Sequence, residues 1–321
     1  MPLVLLALAP SASAQTATTP TTPVAPAPEP GAGRATLSIE GGLATKKTRY
    51  FVPSQEVVVR GVVKPYVRGE LLTLYAIRRG KASKQVRRTV HRRGRYEFRF
   101  KVGNPGPVRL VVKHRASDGQ AAFRTRSETI QVVNWQAGRG ARGVKVTLLQ
   151  RGLLKLGFAT PVTGYFDGLT ANAVNSFRKT NAMGRDGYAA TSVYAMVLRR
   201  QGAFRLRYPD SGTHGKHVEF DWSRQVLVLA DHGKPYRVYH VSSGKPSTPT
   251  VFGSFRFYSK TPGTNSHGMV YSSYFIGGYA IHGYASVPNY AASHGCLRVP
   301  IPNAVSIYNW IDLGDPIHAY R

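Results

Sequence analysis

The chain is short of cysteine, of acid and of long apolar runs. One thiol, Cys296, serves 321 residues. A single cysteine closes no internal disulfide, so this thiol is either reactive or an inert buried group. Asp and Glu number 15 against 44 Lys and Arg, which leaves a formal charge of +29. Such a field repels itself and draws polyanions: nucleic acid, anionic lipid or acidic polymers. No zinc-finger, homeodomain or RNP1-type signature accompanies the charge, so no nucleic-acid partner is expected. Beyond the first residues nothing approaches the ~18 apolar residues that span a bilayer.

The N-terminal stretch MPLVLLALAPSASAQ has an apolar run from Leu3 to Ala9, then Ala12-Ser13-Ala14 before Gln15. That order fits a signal peptide over 1–14, although the usual basic start is missing; the alternative is an apolar tail. Residues 15–34 are mostly Ala, Thr and Pro, which build no core and are expected to be disordered, as a tether or as filler. At 321 residues the remainder is long for one core, and two or three domains are expected.

Residues 35–135 read as strand after strand: 55–63, 70–77, 95–102, 108–114 and 128–133, separated by Gly, Pro and Asp. In the run from Arg95 to Val102, Tyr96, Phe98, Phe100 and Val102 alternate with Glu97, Arg99 and Lys101, the pattern of a half-buried antiparallel strand. Strand number and spacing predict a β-sandwich and resemble the Ig-like modules of secreted bacterial proteins. Within it, Arg78, Arg79, Lys81, Lys84, Arg87, Arg88, Arg92, Arg93 and Arg95 crowd onto one hairpin and its loop. They are either a solvated basic face or a docking surface for an anionic polymer.

Residues 142–202 change to helical periodicity. Val144, Leu148, Leu149, Leu153 and Leu156 form one stripe ending at Gly157; a turn over 163–168 leads to a second helix capped at Thr170, and a third helix spans about 191–201. Leu149-Gln150, Leu153, Leu156-Gly157-Phe158, then Gly164, Phe166-Asp167, Thr170, Ala173-Val174 and Phe177 resemble the type one peptidoglycan-binding family. The resemblance implies a small three-helix module with glycan as its partner; a helical spacer that has lost the ligand is the alternative.

Residues 204–321 return to strands, with a meander over 217–222, 225–231 and 235–242 and a further strand at GSFRFYSK. Free cysteine is only a few per cent thiolate at neutral pH, so a catalytic thiol needs a base, a group that favours the anion, and amide donors for an oxyanion. The stretch from Gly278 to Arg298 supplies His282 and His294 as bases, Arg298 as a cation, and small Ser293 and Gly295. In extended chain His294 and Cys296 point to one side. Met269, Tyr271, Tyr274 and Phe275 lie just upstream, as suited to a substrate wall as to a core.

"IHG" at 281–283 followed by "SHGCLR" at 293–298 resembles the YkuD-type L,D-transpeptidases. The resemblance implies Cys296 as nucleophile and His282 as proton acceptor, oriented by the Gly283 carbonyl. It further implies His294 as a supporting residue, Gly295 and Cys296 amides in an oxyanion hole, and Gly278 in the substrate channel beside Met269, Tyr271 and Tyr274. The implied substrates are peptidoglycan stem peptides, with acyl transfer that releases D-Ala, no cofactor, and acylation by carbapenems. A zinc site from His282, His294 and Cys296 lacks an acidic base and the usual spacing. A sortase lacks its TLxTC-type motif here, and a non-catalytic wall-binding scaffold leaves His282 and Cys296 without a purpose.

The expected architecture is therefore multidomain and mainly β: an Ig-like sandwich (35–135), a peptidoglycan-binding-like helical domain (142–202) and a β-rich catalytic domain (204–321), working outside the cytoplasm in the cell wall.

Overall fold

In the computed structural model, which describes residues 30–212 and 214–321, strand Arg95–Lys101 buries Tyr96, Phe98 and Phe100 and turns Arg99 and Lys101 to solvent. It pairs with Glu56–Lys64, which also holds the short strands Arg34–Ala35 and Ser38–Glu40. A second sheet runs, in spatial order, through Leu43–Ala44, Arg49–Phe51, Glu128–Val132, Gly106–His114, Leu71–Arg78 and Lys81–Thr89. Val57, Val59, Leu72, Leu74, Phe98, Leu110 and Ile130 fill the space between the sheets, completing the Ig-like sandwich. Lys81–Thr89 is an edge strand, exposed at all but one residue. Its Lys84, Arg87 and Arg88 are the kind of charges that keep an open edge from pairing with another chain.

The signal-peptide reading (1–14) and residues 15–29 of the linker lie outside the described residues. The linker's last residues depart from expectation. Gly31 bridges Gln120, and Arg34–Ala35 pairs with Val63–Lys64. Gly33 allows this, since a Cβ there would lie 2.5 Å from the Phe123 ring.

Three helices follow: α1 (Val144–Lys155), α2 (Gly168–Thr180) and α3 (Thr191–Leu198). Leu148, Leu149, Leu153 and Leu156 are buried as the stripe predicts, but Val144 is 42% exposed and Val146 is buried instead. Val144 opens the first turn, next to Gly143 at the cap, where no second helix covers it. The cap of α2 is Asp167 rather than Thr170. Asp167 Oδ1 accepts from the Thr170 N–H at 2.7 Å and from its hydroxyl at 2.8 Å. Gln150, fully buried, accepts from the amides of Thr163 (3.0 Å) and Gly164 (2.8 Å) and donates to Tyr165 O (2.9 Å) and Thr170 Oγ1 (2.8 Å). The polar residues of the family pattern thus fasten the turn between α1 and α2, each buried amide group finding a partner.

In the C-terminal unit, a five-stranded sheet has the order Lys234–His240, Val226–Asp231, Lys216–Asp221, Pro316–Tyr320, Gly253–Arg256. A four-stranded sheet runs Ser259–Thr264, Val270–Ile276, Tyr279–Tyr284, Leu297–Pro300, with α4 (Ile301–Trp310) against it. The stretch GSFRFYSK is two strands, not one. The Phe257 N–H bonds Asp315 O (3.0 Å) and the Tyr258 N–H bonds Tyr274 O (3.0 Å), so the chain crosses between sheets there. Phe220, Leu229, Phe257, Phe275, Ile281, Leu297 and Ile307 form the core between the layers. The helical core continues onto Val226, Val228 and Val238 of the five-stranded sheet.

Candidate active site

Strands Tyr279–Tyr284 and Leu297–Pro300 run parallel, with Ile281 opposite Leu297 and His282 opposite Arg298. Paired residues share a face and neighbours along a strand alternate. Ile281, Leu297 and Val299 therefore enter the core. Gly283 lies so close to α4 that a Cβ would be 2.7 Å from the Ala304 methyl. His282 and Arg298 take the other face, and the second strand begins directly after Cys296, which ends the bend 294–296.

Cys296 is half-buried, its Sγ 3.5 Å from the Gly278 carbonyl. Burial pushes the thiol pKa up, opposed by the Ala280 main chain and by Arg298. His282 is 3% exposed, and its Nδ1 lies 2.9 Å from Gly283 O. A carbonyl only accepts, so Nδ1 carries the proton and Nε2 is left with a lone pair. Burial lowers the His282 pKa; the Gly283 carbonyl works against this and Arg298 with it. Both shifts favour the uncharged form of each group. Tyr284 meets the His282 ring edge-on (5.7 Å, 90°), and the Arg298 guanidinium sits 4.1 Å above the Tyr284 ring.

The turn carrying the thiol is built from inside. Ser293, fully buried, donates from Oγ to Cys296 O at 2.6 Å and accepts from the Gly295 N–H at 3.0 Å. Thr250 Oγ1 donates to Gly295 O (2.7 Å), and Thr248 Oγ1 to Ser293 O (3.1 Å). Gly295 has φ +117°, and a Cβ there would lie 2.2 Å from Tyr279 Cε1, so only glycine fits both the backbone and the space.

Three sequence expectations change. The Gly295 amide is committed to Ser293 Oγ rather than free for an oxyanion. Residues 294–296 form a bend, not extended chain, so the exposed His294 is not brought beside the thiol by strand alternation. Tyr271 packs on Tyr308 of α4 (5.2 Å), on the face away from His282, because its backbone is left-handed at φ +53° and the strand register shifts there.

Tyr274 pairs with Ala280 and so shares the face of His282. Met269 lies in the turn 265–269, beside Gly268, whose Cβ position is 3.6 Å from the Tyr284 ring. Sequence reading missed Tyr258, which is 55% exposed, stands 6.5 Å from Tyr274 and donates to Gly277 O. It also missed Tyr279, Tyr284 and Thr250. The one available signal was the flanking of "AIHG" by two tyrosines.

Residues 215–318 match the L,D-transpeptidase catalytic domain family (YkuD), and residues 142–207 match a putative peptidoglycan binding domain. Among solved structures, the L,D-transpeptidase from Xylanimonas cellulosilytica DSM 15894 is 30% identical over 59% of this chain and 98% of that one, with a TM-score of 0.52. An L,D-transpeptidase from Stackebrandtia nassauensis is 20% identical over 58% of this chain and 95% of that one, with a TM-score of 0.35. The catalytic domain of the E. faecium L,D-transpeptidase is 24% identical over 34% of this chain and 98% of that one, with a TM-score of 0.29. No curated protein matches the chain. The family matches and the nearly complete coverage of the Xylanimonas relative lead to one assignment: the chain belongs to the L,D-transpeptidases.

Proposed function

We infer that the chain cross-links peptidoglycan by L,D-transpeptidation, with Cys296 as nucleophile and His282 as its base. The observation that supports this reading is the Gly283 carbonyl, which leaves His282 Nε2 free to accept a proton, on the strand paired with the one that begins directly after Cys296.

In the first half-reaction Nε2 takes the thiol proton as Sγ attacks the carbonyl carbon between the third residue of a tetrapeptide stem and its terminal D-Ala. The C–N bond breaks, the imidazolium returns the proton to the leaving amine, and D-Ala departs from a thioester. In the second, a side-chain amine of a neighbouring stem attacks the thioester carbon and gives its proton to His282, and the C–S bond breaks to free Cys296. Water in place of the amine gives hydrolysis. The Cys296 amide is our candidate donor to the oxyanion, and Tyr258, Tyr274 and Gly278 the candidate wall for the stem. No step requires a metal or organic cofactor.

Carbapenems would acylate the same sulfur. Substrate chemistry implies a site of action in the cell wall, and no described helix is long and apolar enough to cross a membrane. The basic edge strand suits retention by anionic wall polymers.

Intact-mass analysis after exposure to a carbapenem tests the reading. One adduct on the wild-type chain, none on Cys296→Ala and slow formation on His282→Ala are expected. An equal rate for His282→Ala alongside a loss in His294→Ala would reassign the base.

A further inference from the structure

A cleft of about 400 Å³ lies between the helical module and the catalytic unit, lined on one side by Arg139, Asn172, Asn175 and Tyr188 and on the other by Pro288 and Asn289. Its size falls in the ~300–1,000 Å³ range of small-molecule sites. None of these residues takes part in the chemistry at Cys296.

Two features mark it as built for a ligand. Asn175 is 4% exposed; its Nδ2 donates to Asn289 Oδ1, while its Oδ1 has no partner in the protein. Buried acceptors are seldom left so, and the group calls for a donor from outside. Tyr188 is 42% exposed, on a main chain that is firmly held. Its N–H bonds Asp186 Oδ1 (2.8 Å), its carbonyl accepts from Arg178 (3.2 Å), and Arg178 grips Asp186 at 2.9 Å. The ring lies over Gly138, where a Cβ would be only 3.0 Å away. An aromatic face packed over a glycine and left bare beside amides and a guanidinium matches a pyranose ring with an acetamido group. The apolar C–H face of the sugar lies on the tyrosine, the acetamido N–H meets Asn175 Oδ1, and its carbonyl meets an amide or Arg139.

The catalytic side of the cleft belongs to residues 285–292, which join the His282 strand to the nucleophile turn. Asn289 exchanges hydrogen bonds with Arg185 (2.8 and 3.2 Å). Val287 O accepts from His240 Nε2 (2.8 Å), whose Nδ1 accepts from Lys179 of α2 (2.7 Å).

We propose that this cleft binds an N-acetylated amino sugar of a glycan strand, with Tyr188 of the helical module and Asn289 of the catalytic unit as its two walls. The site rests on the peptidoglycan reading and makes glycan recognition a joint property of both units: the sugar is held against the segment that leads to Cys296.

Titration of the full chain with N,N′,N″-triacetylchitotriose, followed by calorimetry and amide NMR, tests the proposal. Saturable binding with shifts at Asn172, Tyr188 and Asn289 is expected, weakened about tenfold or more in Tyr188→Ala, the scale of losing an aromatic anchor. Carbapenem acylation of Cys296, measured without sugar, is expected to be unchanged in that variant. Absence of binding by a wild-type chain that acylates normally overturns the proposal, as does equal binding by Tyr188→Ala or binding of a sugar-free stem peptide alone. Sugar binding that depends on Tyr188 in a chain whose Cys296 does not acylate would uphold this site and refute the catalytic reading.

Discussion

His282 and Arg298 face each other across a parallel ladder whose second strand begins directly after Cys296. In the proposed chemistry it is this ladder, and not nearness in sequence, that would bring thiol and base together. Replacing His282 with Ala is expected to slow carbapenem acylation of Cys296 by roughly 10²–10⁴-fold, the range for loss of a positioned base. Stopped-flow absorbance of the β-lactam measures it. A change of less than about threefold would remove His282 from the proton transfer.

Burial raises the Cys296 pKa and lowers that of His282, and both directions favour the uncharged groups. Alkylation of Cys296 by iodoacetamide is therefore expected to rise with pH toward and beyond the ordinary thiol value of 9.0. A preformed thiolate–imidazolium pair would instead hold a reactive plateau down to about pH 6 or below. Such a plateau would show that the thiolate is stabilised by more than its burial opposes.

Gly295→Ala places a methyl against Tyr279 at a backbone angle of φ +117°. Left-handed backbone costs an L-residue about 1–2 kcal/mol, and overlap with the ring adds to it. We expect lower stability in urea and a slowed acylation. In the double variant with Tyr279→Ala the steric part returns and the backbone part does not. Full recovery would show that the backbone conformation is not a constraint.

The Ser293 hydroxyl bridges Cys296 O and the Gly295 amide inside the fold. Ser293→Ala leaves both without that partner, at a cost of about 1–3 kcal/mol. Ser293→Thr, which keeps the hydroxyl, is expected to recover part of the stability and of the acylation rate. Equal effects of Ala and Thr would mean that packing, not the bridge, holds the turn.

Lys179 and His240 are buried, 4% and 2% exposed, at the junction of the helical and catalytic units. Burial and the nearby Arg185 lower Lys179 from 10.5 to about 7; burial and Lys179 lower His240 from 6.5 to about 3. For each, the unfolded chain binds the extra proton first as pH falls, so stability rises with pH from about 7 to 10.5 through Lys179 and from about 3 to 6.5 through His240. Lys179→Met is expected to flatten the upper rise and narrow the lower one in a plot of Tm against pH. An unchanged profile above pH 7 would mean that Lys179 keeps its proton in the folded protein.

Local pattern was readable wherever the environment repeats along the chain. Alternation marked the strand Arg95–Lys101, and the stripe of leucines marked α1. Pattern failed at ends and crossings. Val144 has helical spacing but no neighbour to cover it, and GSFRFYSK has continuous β composition although hydrogen bonds to Asp315 and Tyr274 divide it. Lys179 looked like one more basic residue, since its burial depends on Gln225 and His240, 46 and 61 positions away.

By itself the sequence determined that one thiol would lie among histidines and small residues after a β-rich stretch, because residue types and short spacings are properties of the chain alone. Tertiary structure decided that the strand of His282 pairs with the strand that follows the thiol, that the Gly295 amide is already taken, that Tyr271 turns to α4, and that two modules share a cleft. Each of those depends on register, on a bend or on a partner many residues distant, and a short-range pattern carries none of them.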